Sequence, residues 1–124
     1  MNLANVFDGL DEAGRPILSA SRTSVSDPDE RPRIERFLKG GGIVLGTGRK
    51  SIDNVDPNRG RVVPIFYRTD GIWIWPVSIA YYMYEHDIPI ETDFLEHVRR
   101  SDYTAVEPTM DRVKEALQLL YGPE

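Results

Sequence analysis

The 124-residue chain is 40% hydrophobic and 28% charged, the length and balance of one folded domain rather than a disordered segment. It contains no cysteine, which excludes disulfides, thiolate zinc sites and cysteine nucleophiles. Its net charge of −5 and pI near 5.0 fall well below the basic range of dedicated nucleic-acid domains, so no nucleic-acid partner is expected.

No apolar run approaches the roughly 20 residues that span a bilayer, and residues 1–5 lack the positive start and apolar stretch of a signal peptide. No membrane association and a cytoplasmic location are therefore expected. Residues 1–26 read as an N-terminal extended segment, with turn dipeptides at Asp8-Gly9 and Ala13-Gly14. Around Ser26 to Glu30, a capping side chain, an early proline and acids near the dipole predict a helix running to about Leu38, with Ile34, Phe37 and Leu38 inward. Pro32 is tolerated only in its first turn. Ile43-Val44-Leu45 predicts a short buried strand or corner, and residues 46–61 a loop with one helical turn near residues 51–54.

Residues 62–67 predict a strand, in which Pro64 cannot donate to a ladder and so implies an edge or a bulge. Thr69-Asp70-Gly71 predicts a turn, with residues 72–75 returning as the hairpin partner. Pro76 suits the first position of a helix, and residues 77–84 are apolar on nearly every side, which predicts a central buried helix. A shorter helix over 92–100 turns Phe94, Leu95 and Val98 inward. A last helix over 109–121 is capped by Thr109, carries Met110, Val113, Leu117 and Leu120 at helical spacing, and is stopped by Gly122. The expected fold is one α+β domain over residues 1–124: a small, mostly antiparallel sheet with a central hairpin packed against about four helices.

Charge is unevenly spread. Residues 31–68 hold nine bases against three acids, and residues 69–124 hold eleven acids against four bases, a polarity able to steer a charged partner. The segment Gly42 to Ser51 invites a phosphate-loop reading, but Arg49 separates Gly48 from Lys50, and the dinucleotide glycine spacing also fails. His86 and His97 lack the spacing of a metal site and read instead as helix-end histidines facing a dipole. Ser78, His86 and Asp87 make a nucleophile triad only on paper, because no Gly-x-Ser-x-Gly elbow is present. Period-2 spacing puts Trp73 and Trp75 on one strand face and Ile72 and Ile74 on the other. Core burial is the plainer reading of the tryptophans, and an exposed pair would be an interface anchor.

The block Arg68-Thr69-Asp70-Gly71-Ile72-Trp73-Ile74-Trp75-Pro76, followed by Tyr81-Tyr82, His86 and Phe94-Leu95-Glu96-His97, resembles a group of small, uncharacterised bacterial proteins. These carry a Thr-Asp-Gly-x-Trp-x-Trp hairpin and a Tyr-Tyr helix. The resemblance runs from Phe7 to about Tyr103 and leaves the last helix outside. Such proteins are associated with genes beside secreted or contact-dependent toxins and look like cognate immunity proteins. The resemblance implies an intracellular, non-enzymatic binding protein that occludes the active site of a toxin, with no cofactor or metal. On that reading the partner-binding candidates are Tyr67, Arg68, Asp70, Trp73, Trp75, Glu85, Asp87, Glu91 and Asp93. The alternative is a small nucleotide- or phosphate-binding module or enzyme using the basic, glycine-rich residues 46–68. A homodimer through the hairpin edge is a third reading.

Overall fold

The computed structural model describes residues 1–45 and 48–122. In chain order these form β1 (Asn2–Leu3), β2 (Gly9–Leu10), β3 (Pro16–Ile17), α1 (Glu30–Leu38), β4 (Gly42–Leu45), β5 (Lys50–Ile52), a 3-10 turn (Pro57–Arg59), β6 (Arg61–Pro64), β7 (Tyr67–Thr69), β8 (Trp73–Pro76), α2 (Ser78–His86), α3 (Thr92–Arg100) and α4 (Met110–Tyr121). Among the described residues the fold is α+β, with four helices and a mixed four-stranded sheet in the order β1-β8-β7-β4. Two small antiparallel pairs, β2-β3 and β5-β6, stand beside it.

Strands β7 and β8 pair antiparallel, with Thr69 opposite Ile74 and Arg68 opposite Trp75. One backbone and two side-chain devices shape their connection. Gly71 takes φ +91°, a left-handed conformation that glycine adopts without a Cβ clash. Asp70 Oδ1 accepts the amides of Ile72 and Trp73 at 3.0 and 2.9 Å. Thr69 Oγ1 donates to the Trp73 carbonyl at 2.7 Å and accepts from the Gly71 amide.

Because β8 is covered on both faces, its alternating side chains enter two cores. Trp75, fully buried, joins Ile34, Phe37 and Leu38 of α1, Ile79 and Met83 of α2, and Phe94, Leu95 and Val98 of α3. Ile74 packs on the opposite side with Val44 and with Ala116 of α4. Burying an aromatic of this size contributes roughly 4–6 kcal/mol before the entropy of ordering it is charged. The indole N–H of Trp75 donates to the Leu38 carbonyl at 2.9 Å, so its one polar atom is satisfied inside the core.

The structure departs from the sequence expectations at specific places. The helical turn expected near residues 51–54 is instead the end of β5, paired with β6, and a helical turn comes later, over the 3-10 residues. The single strand expected over 62–67 is two: β6 goes to β5, while β7 goes to β4 and β8. Pro64, without an N–H, ends β6 where that change of partner begins. Pro76 closes β8 rather than opening α2, and the next amide, Val77 N–H, still donates to the Phe66 carbonyl. Strand β1 has no signature in the sequence and runs parallel to β8, with Asn2 opposite Trp73. In α4, Met110 is 72% exposed and the buried residue is Ala116. In α2, Tyr84 is exposed, so that helix is covered on fewer sides than its composition suggests.

Candidate functional site

Two aspartates are built into the fold in the same way. Asp53 Oδ1 accepts the amides of Val55 and Asp56 at 2.8 and 2.9 Å, and its Oδ2 lies 2.6 Å from both the Tyr81 hydroxyl and His86 Nε2. Asp70 Oδ1 accepts the amides two and three residues on, and its Oδ2 lies 2.6 Å from His97 Nε2. Each carboxylate thus organises its own turn with one oxygen and ties that turn to a helix with the other. His86 ends α2 and His97 sits in the last turn of α3, so both also meet the negative end of a helix dipole. An ionised carboxylate only accepts, so each histidine carries its proton on Nε2. Burial pushes the Asp53 carboxyl up, but hydrogen bonds from Tyr81, His86 and the Asp56 and Val55 amides outweigh it and hold the group down to about 2. The two pairs are latches between elements, and among the described residues no group of three or more His, Asp or Glu side chains is arranged to hold a metal.

The nine candidate binding residues separate into several environments. Trp75 is core and cannot touch a partner: alternation along β8 aims it at α1 and α3. Asp70 is largely spent on its turn and on His97. Tyr67 is half-buried beside Val44 and Ile74, and burial followed by the nearby Tyr121 raises its pKa. Arg68 donates to the carbonyls of Gly40 and Gly41 at 3.3 Å and lies 6.0 Å from the centre of the Phe66 ring. Glu85 pairs with Arg59 at 3.2 Å and Asp87 with Arg31 at 2.5 Å, both at the surface.

The remaining three, Trp73, Glu91 and Asp93, come together. They line a cleft of about 590 Å³ between β1, residues 19–22 and the start of α3. Trp73 is partly exposed there and is backed by Phe94 and His97. Glu91 Oε1 accepts the Asn5 amide at 2.6 Å, whereas Asp93 is exposed. Two further charged residues of the lining, Arg22 and Asp8, are not among the sequence candidates. Arg22, its side chain only 2% exposed, donates to the carbonyls of Val6, Pro89 and Asn5 and pairs with Asp8 at 3.1 Å. Asp8 also accepts the Ser19 amide, and that bond followed by Arg22 lowers its pKa. Only the Asp8-Gly9 turn was visible in sequence, because Arg22 reaches its partners through chain distances of up to 67 residues. The cleft therefore has three carboxylates against one guanidinium that is already engaged, with an aromatic wall.

The glycine-rich segment supplies no comparable arrangement among the described residues. Gly46 and Thr47 lie outside them. Lys50 and Ser51 enter β5 opposite Pro64 and Val63, so a strand rather than a phosphate-binding helix follows the glycines. Among the described residues no helix is long and apolar enough to cross a membrane. No protein-family model, curated protein or solved structure matches this chain.

Proposed function

We propose that this protein is a cytoplasmic binding protein that neutralises a bacterial toxin by seating part of its basic active-site surface on the cleft walled by Trp73, Glu91 and Asp93. The observation that carries this reading is the meeting of those three residues with Asp8 at one concave, net-negative surface. A Lys or Arg side chain entering there gains carboxylate partners and a tryptophan ring, a contact worth about 0.5–2 kcal/mol in addition to charge pairing. Aromatic residues at a concave centre with charges at the rim are the usual anatomy of a tight protein interface. The resemblance of the Thr-Asp-Gly-x-Trp-x-Trp block to toxin-associated proteins points the same way. Binding of this kind requires no catalytic group, cofactor or metal.

The test is co-expression and pull-down with the toxin-like product encoded beside the gene, comparing Asp93→Lys with Asp111→Lys on the exposed side of α4. Asp93→Lys is expected to weaken the complex at least tenfold, mainly through slower association, while Asp111→Lys leaves it unchanged. Absence of a complex and of protection, or equal effects of the two reversals, refutes the reading. Light scattering of the free protein separates it from a homodimer through the sheet edge.

A further inference from the structure

A second concavity lies along α2, and its chemistry is opposite to that of the acidic cleft. It is a largely apolar groove of about 400 Å³ between α1, α2 and the segment joining β6 to β7. Leu38, Phe66, Val77 and Ala80 supply apolar surface, and Tyr81 and Tyr84 stand along α2. A volume of this size is within the range of small-ligand sites.

Three of the four charged residues at its rim are paired. Glu35 is paired with Lys39 at 3.5 Å, and Glu85 with Arg59 at 3.2 Å. Arg68, half-buried at the same rim, has two backbone carbonyls at 3.3 Å and the Phe66 ring, but no carboxylate within ion-pair distance among the described residues. A guanidinium presents five donors in a planar fork that matches a carboxylate, and the apolar surroundings strengthen such a pair relative to bulk water.

We propose that this groove binds a compact apolar carboxylate, an aryl- or alkyl-carboxylic acid of small-molecule size, with the hydrocarbon between α1 and α2 and the carboxylate on Arg68. The site is independent of the acidic cleft and of the toxin reading. Neutral and cationic analogues lack the charge that Arg68 is placed to meet, so the site discriminates by the head group.

The experiment is an amide-resolved NMR titration of the full chain with 3-phenylpropionate, 3-phenylpropan-1-ol and 3-phenylpropylamine. The carboxylate is expected to shift the amides of Val77, Ala80 and Tyr81 and to bind at least tenfold more tightly than the alcohol, with the amine weakest. Arg68→Gln should bring carboxylate and alcohol to equal affinity, and Ala80→Leu, which fills the groove, should abolish binding of both. If Arg68→Gln does not fold, the order of the three probes on the native chain and the effect of Ala80→Leu decide the matter. Equal binding of carboxylate and alcohol by the native chain, shifts centred elsewhere, or no binding of the carboxylate overturns the proposal.

Discussion

Replacing Asp53 by asparagine keeps the size of the side chain and removes its charge from a position with no solvent exposure. Asparagine still offers Oδ1 to the Val55 and Asp56 amides, but its amide N–H₂ then faces the Tyr81 hydroxyl and the His86 Nε2–H, two donors that now point at a donor. The native carboxyl is held down to about 2 against an ordinary aspartate value of 3.8, which corresponds to about 2.5 kcal/mol of stability at neutral pH. The folded-state pKa is depressed, so this stability is complete above about pH 5 and is lost as pH falls from about 4 towards 2. Urea unfolding of native and Asp53→Asn protein should show a gap of about 2–3 kcal/mol at pH 7. At pH 3 the native carboxyl already gives up part of its advantage, and the gap should be about 1 kcal/mol smaller. A gap under about 0.5 kcal/mol at pH 7, or one of equal size at pH 3, refutes the latch.

Four further substitutions probe other parts of the fold. A Cβ added at Gly41, where φ is +69°, would lie 2.3 Å from the Thr69 carbonyl oxygen. Gly41→Ala should therefore cost about 3 kcal/mol or more, whereas Gly14→Ala, at φ +80° in open space, should cost only about 1; thermal melts that rank the two alike contradict this. Trp75→Phe leaves the Leu38 carbonyl unpaired and a void against Phe37, with an expected loss of about 2–4 kcal/mol by urea unfolding. Thr109→Ala removes the side chain that accepts the Arg112 amide at 3.3 Å, and a loss of about 0.5–1 kcal/mol is expected in the same assay.

Local chemistry made part of this fold readable. α3 occupies residues 92–100 as expected, because Phe94, Leu95 and Val98 recur at helical spacing and Arg99 and Arg100 suit its C-terminal end. In α1, Ile34, Phe37 and Leu38 point inward as their spacing requires, and Pro32 falls in the first turn. The turn at Asp70 and Gly71 is encoded in the residue types themselves. The split between β6 and β7 was not readable, because one apolar run can serve two sheets when Pro64 interrupts its ladder. The acidic cleft was only half legible. Glu91 and Asp93 were among the binding candidates, but nothing local indicated that Asp8 and Arg22 would line the same cleft.

The sequence by itself determined the chain's helices α1 and α3, the turn at Asp70 and Gly71 and the separation of Trp73 and Trp75 from Ile74, since each follows from periodicity or from the conformational needs of neighbouring residues. Tertiary structure alone decided that β1 would pair with β8 and that α4 would cover the Ile74 face. It also decided that each histidine would find an aspartate 33 or 27 residues away. Those contacts depend on which buried surfaces can be satisfied together once the chain has closed on itself, and a local pattern carries no record of a partner that only folding brings near.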